Sequence, residues 1–125
     1  MSKVEDGVIQ LSTAELKDEL TNKQPNQEPI VIDVREVTEY EDGHIPGVPL
    51  IPMNEMPTML PKMDEAKSYI LVCRSGRRSQ HTAKYMKEQG FLNVRNYEGG
   101  MLEWDGEQTF GQEWIVKESA ELYEK

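Results

Sequence analysis

Residues 69–79 read YILVCRSGRRS, and the change of character half-way through them decides the fold. Tyr69, Ile70, Leu71 and Val72 show no polar face, the pattern of a strand covered on both sides. At Cys73 the chain turns abruptly cationic and loop-like. Residues 79–89 then bring Ala83 and Met86 to one side at helical spacing and stop at Gly90. A buried strand, a tight loop and a helix in that order is a building block of α/β domains with a parallel sheet.

The flanks repeat the theme. Residues 30–34 (IVIDV) form a second β-branched run without a polar face, and residues 94–97 a third strand, followed by Glu98-Gly99-Gly100 and a short helical stretch through Trp104. Before them, Val8-Ile9 is a short apolar pair. Ser12 and Glu15 have the spacing of a capping box, opening a helix that buries Leu16 and Leu20. Residues 21–29 (TNKQPNQEP) are a polar connector with two prolines. Residues 36–42 carry Val37 and Tyr40 three apart, one or two helical turns closed by Gly43. Ile45-Pro46-Gly47 is a turn, and residues 48–51, interrupted by Pro49, suit a sheet edge. Met53, Met56, Met59, Leu60 and Met63 recur every three or four residues, a helix face read as core filler.

Length and composition set the frame. The 125 residues have room for one compact domain, with a core over about residues 8–105 and an acidic C-terminal extension, residues 106–125, whose extreme end is expected to fray. A net charge of −9 argues against nucleic acid and anionic membranes as general partners. The longest apolar run is far short of the roughly 20 residues that span a bilayer, and the N-terminus MSKVEDG lacks the apolar stretch of a secretory leader. The expected compartment is the cytoplasm. One cysteine and two histidines give no repeated metal-ligand spacing, so no metal is expected.

The charge is not evenly spread. From Cys73 to Arg95 there are six basic residues and one acid, a local +5 that leaves −14 on the rest of the chain. The only thiol therefore lies in a cationic island of an anionic protein, which draws a small anion towards the sulfur. At the carboxyl end of a strand and the start of a helix, free amides, the helix dipole and Arg74, Arg77 and Arg78 all favour a thiolate over a thiol. Cys73 is the candidate nucleophile.

Ile32-Asp33-Val34-Arg35, Tyr40, Gly43-His44-Ile45-Pro46-Gly47, the run from Val72 through Cys73-Arg74-Ser75-Gly76-Arg77-Arg78 to Ser79, Glu98-Gly99-Gly100 and Trp104 together resemble a single-domain rhodanese over about residues 8–104. The resemblance implies a rhodanese-like α/β fold, a central parallel sheet flanked by helices on both faces. It also implies sulfurtransferase chemistry through a persulfide on Cys73, and no bound cofactor, since the persulfide is carried on the protein itself. Sulfane sulfur would come from an anionic donor such as thiosulfate, or from a persulfide, and pass to a thiol, a protein acceptor or cyanide. Substrate-binding residues would be Arg74, Ser75, Gly76, Arg77, Arg78 and Ser79. By family analogy Arg78 braces the loop or holds the anion, with Arg77 the weaker candidate. Asp33 and Arg35, at the end of a neighbouring strand, are expected to support the loop. His44 is read as a structural histidine, His81 as lining the site mouth or facing solvent, and Glu98 as a turn or capping acid.

Three other readings compete. Related arsenate reductases and phosphatases place an arginine six positions after the cysteine; here that position is Ser79, with arginines at four and five, so the loop is one residue short for a tetrahedral oxyanion. A noncatalytic binding or sulfur-sensing module often lacks the cysteine that this chain keeps. A sulfur relay from another thiol protein would use the same residues, with the acidic surface docking a more basic partner.

Overall fold

The computed structural model describes residues 3–21, 23, 24 and 26–124. The expectations for Met1 and Ser2 of the N-terminus, for Asn22 and Pro25 of the connector and for fraying at Lys125 lie outside them. Five strands, β1 (Lys3–Glu5), β2 (Val8–Leu11), β3 (Ile30–Asp33), β4 (Tyr69–Val72) and β5 (Val94–Tyr97), form one sheet in the order β1-β2-β5-β4-β3. The four strands from β2 to β3 run parallel. The sheet is mixed, because β1 folds back antiparallel on β2 through a turn at Asp6-Gly7. That hairpin was not expected: Lys3–Glu5 is exposed throughout and carries no apolar signal.

Helices cover both faces. On one face α1 (Thr13–Leu20) and α5 (Gly100–Glu103) lie with Leu11, Leu16, Val31, Ile45, Ile70, Val72 and Tyr97, with Trp104 packed against them. On the other, α3 (Met56–Met59) and α4 (Arg77–Glu88) lie over Ile30, Ile32, Tyr69 and Leu71 through Met56, Met59, Ala83 and Met86. The strands carry apolar side chains on both faces because both faces are covered. The capping box on α1 forms as read: the Glu15 amide donates to Ser12 Oγ at 3.1 Å and the Ser12 amide to Glu15 Oε1 at 2.8 Å.

The remaining differences are local. The helix after the cysteine loop begins at Arg77 rather than Ser79, because Gly76 takes the left-handed conformation (φ 88°) and the chain is helical from the next residue. The methionine stretch is a short α3 between two 3-10 turns, broken up by Pro57 and Pro61; Met56, Met59 and Met63 are buried as core. Residues 48–51 contribute only bridges at Leu50, to Asp33 and to Ile115. Residues 108–124 run along the body of the protein: Thr109 bridges His44, Ser119 Oγ donates to the Met59 carbonyl at 2.7 Å, and Leu122 is fully buried.

Candidate active site

Parallel pairing aligns the carboxyl ends of β3, β4 and β5, with Asp33 beside Val72 and Leu71 beside Asn96. Cys73 leaves β4 at this end, next to the middle of the sheet, where α/β proteins place their ligands. Its side chain is fully buried, while Arg74, Ser75 and Arg77 just beyond it are exposed. The thiol thus forms the floor of a loop with a cationic rim.

Three donors converge on Cys73 Sγ: the Gly76 amide at 3.1 Å, the Ser79 amide at 3.3 Å and the Ser79 hydroxyl at 3.2 Å. Two of the six expected loop residues therefore touch the sulfur. Gly76 and Ser79, three and six residues after the thiol, both reach it because the loop is tight, and the left-handed Gly76 makes it so. A Cβ there would run into the Glu98 carbonyl. The loop is tied down from α5, whose first amides reach back: Met101 donates to the Cys73 carbonyl at 2.8 Å and Leu102 to the Arg74 carbonyl at 2.9 Å. Gly100 (φ 63°) lies against the Arg74 carbonyl where no side chain fits. This close packing is the task of the Glu98-Gly99-Gly100 turn. The Glu98 carboxylate itself pairs with Lys3 at 3.1 Å.

The arginines divide. Arg78 makes a bidentate pair with Glu39 of α2 (Val37–Glu41), both contacts 2.8 Å. The fork holds the Glu39 carboxyl down at about 2, chiefly through the hydrogen bonds from Arg78, and Glu39 in turn raises the Arg78 guanidinium. Arg78 is thereby a brace between the loop and α2. Arg74 and Arg77 make no ion pair among the described residues.

Asp33 and Arg35 are brought to the site's edge but not to its loop. Arg35 Nε and Nη2 fork onto Asp33 at 2.8–3.1 Å, and Nη2 also donates to the Gly43 carbonyl at 2.8 Å. Among the described residues neither side chain bonds to residues 74–79. The pair fixes the Gly43–His44 turn instead, because the short α2 returns the chain directly over the end of β3. His44 is fully buried, stacked on Tyr40 at 3.6 Å, with Nδ1 on the Tyr40 carbonyl and Nε2 on Glu113, both saturated as a structural histidine requires. His81 is exposed on α4, at the edge of an apolar cavity of about 190 Å³ that includes Met53, Met56 and Tyr85. A larger cavity, about 410 Å³ beside Lys17, Ile45 and Trp104, lies on the α1 side of the sheet and touches none of residues 73–79.

Sequence reading missed Glu39 and Asn96. Glu39 is one of 23 acids and has no local mark. Asn96 does carry one, as a polar residue inside a predicted strand; its side-chain amide donates to the Gly76 carbonyl at 3.1 Å.

A thiol on the floor of a loop of amides, at the end of a central parallel strand between two helical layers, defines a rhodanese-type site. The comparisons agree: the rhodanese-like domain profile matches residues 12–107, and the chain belongs to that family. The Bacillus subtilis protein YtwF, whose name carries sulfurtransferase as a provisional assignment, is 43% identical over 80% of this chain and 93% of its own length. The thiosulfate sulfurtransferase GlpE of Pseudoalteromonas translucida is 32% identical over 61% of this chain and 72% of its own. A rhodanese-like domain protein from Staphylococcus aureus superposes with a TM-score of 0.70 at 34% identity, covering 82% of this chain and 97% of that one. No helix of the described residues is long and apolar enough to cross a membrane.

Proposed function

We propose that this rhodanese-family chain is a thiosulfate or persulfide sulfurtransferase that carries sulfur as a persulfide on Cys73. The observation that carries the reading is the convergence of the Gly76 and Ser79 amides and the Ser79 hydroxyl on one sulfur. Donors aimed at one atom stabilise negative charge there, and both halves of the reaction concentrate charge at that point.

In the first half, the Cys73 thiolate attacks the outer sulfur of thiosulfate. The new S–S bond forms as the old one breaks, and the electron pair leaves with sulfite. In the second, an acceptor nucleophile such as cyanide or a thiolate takes the outer sulfur, and the pair returns to Cys73. No external oxidant and no cofactor enters either step. Arg74 and Arg77, exposed at the rim, are suited to draw in the anionic donor and release sulfite. Ser75, Gly76 and Ser79 shape the cradle, Arg78 braces it through Glu39, and Asp33 with Arg35 supports the adjoining turn. A lone thiol kept for such chemistry belongs in a reducing compartment, the cytoplasm.

Incubation with thiosulfate, followed by intact mass measurement beside Cys73→Ala, tests this. The expected result is a gain of one sulfur that requires Cys73 and is discharged to cyanide as thiocyanate. A protein that takes up sulfur from neither thiosulfate nor glutathione persulfide is not a sulfurtransferase, and a noncatalytic binding module would then fit it better.

A further inference from the structure

Asn96, on β5 opposite Leu71, is 1% exposed and belongs to no motif of the cysteine loop. Both hydrogens of its Nδ2 are used, one on the Gly76 carbonyl at 3.1 Å and one on Gln10 Oε1 at 2.8 Å. A carbonyl can only accept, so the side chain cannot be turned the other way round. Its Oδ1 is left buried without a partner among the described residues. An orphaned buried acceptor costs about 1–3 kcal/mol, so a side chain held in this way points to a task at its other end.

The other end is clamped from the N-terminal hairpin. Gln10 Nε2 donates to Gln80 Oε1 at 2.6 Å and to the Val8 carbonyl at 3.0 Å, and Gln80 Nε2 donates to the Glu5 carbonyl at 2.9 Å. From Asn96 through Gln10 and Gln80 to β1, every donor in this series points the same way. What the series holds is one peptide plane. Gly76 has φ 88° and ψ −6°, followed by the first residue of α4. A ψ near zero sets the Arg77 nitrogen on the same side as the Gly76 nitrogen, and planarity aims the Arg77 N–H opposite to the Gly76 carbonyl. A left-handed residue followed by a right-handed one gives a concavity of successive amides that suits an anion. One of those amides, from Gly76, is already 3.1 Å from Cys73 Sγ.

We propose that Asn96, clamped by Gln10 and Gln80, is a positioning residue for sulfur transfer: it holds the Gly76 carbonyl outward so that the amides of Gly76 and Arg77 converge where sulfur binds on Cys73. The inference rests on the sulfur-transfer reading above. Its test compares wild type with Asn96→Ala and Gln80→Ala, following the rate of sulfur loading from thiosulfate by intact mass and the amide ¹H–¹⁵N spectrum before and after loading. In Asn96→Ala the Gly76 carbonyl keeps its bond from the Gln80 amide, so the fold survives. Loading slows about tenfold, less than the roughly hundredfold that outright removal of such a donor costs because the amides are shifted and not lost, and the Arg77 amide peak, displaced by loading in wild type, moves less. Gln80→Ala, half-exposed on α4, slows loading about threefold, the effect of one modest hydrogen bond. Wild-type rates and a wild-type Arg77 displacement in Asn96→Ala overturn the proposal, and in Gln80→Ala they do so if the first variant does not fold. A wild type that takes up no sulfur overturns the sulfur-transfer reading and this proposal with it.

Discussion

Two polar clusters lie side by side at the carboxyl end of the sheet, and they are built on opposite plans. At the end of β3, Asp33, Arg35, His44 and Glu113 satisfy one another: carboxylate against guanidinium, imidazole against carboxylate, and the spare guanidinium hydrogens on the Gly43 carbonyl. At the end of β4, three donors face a single sulfur, and on neighbouring β5 the buried Asn96 Oδ1 has no partner among the described residues. A closed cluster of matched charges holds architecture. An excess of donors around one soft acceptor is suited to a charge that comes and goes. The contrast supports the second cluster as the proposed reactive centre, although the first contains more ionisable side chains.

The comparison can be broken at several points. Cys73→Ala should abolish sulfur uptake completely while leaving a folded protein, as read by intact mass and circular dichroism. Asp33→Ala strands the Arg35 charge, whose side chain is 6% exposed, and should cost about 3–5 kcal/mol in denaturant unfolding; per folded molecule, loading should persist, since no bond runs from this pair to the loop. Gly76→Ala costs at least the about 1–2 kcal/mol of a side chain in the left-handed region, and its Cβ also meets the Glu98 backbone carbonyl, so stability and loading should fall together. Glu39→Gln is smallest, about 1 kcal/mol or less for a half-exposed pair. Its signature is in the pH dependence. With the folded Glu39 carboxyl near 2 and its ordinary value at 4.5, the stabilisation is fully present above that ordinary value and is lost as pH falls towards 2. The wild-type melting temperature should therefore drop more steeply over that window than that of Glu39→Gln.

The sequence was most legible where periodicity and turn chemistry agree. Three of the parallel strands, the capping box at Ser12 and Glu15, and the strand-loop-helix at Cys73 could all be read from side-chain pattern. The hairpin strand Lys3–Glu5 could not, because a three-residue edge strand buries nothing and leaves no apolar trace. Of the site, the cysteine and the loop that donates to it were legible from the local run of residues 73–79. The partners of that loop were not: Glu39 reaches Arg78 across 39 residues and Asn96 reaches Gly76 across 20, and pairings of that range depend on strand order, which a local pattern does not encode. The same limit explains Arg35. Its position at a strand end suggested support for the loop, whereas the short return of α2 brings Gly43 within its reach instead.

The most direct test of the account is a crystal structure of the protein after treatment with thiosulfate. The account predicts a second sulfur bonded to Cys73 Sγ, lying inside the loop within hydrogen-bonding reach of the Gly76 and Arg77 amides, with the Asp33–Arg35 cluster unchanged. A Cys73 that remains a bare thiol under conditions of full turnover, or a sulfur directed out of the loop and away from those amides, would contradict it.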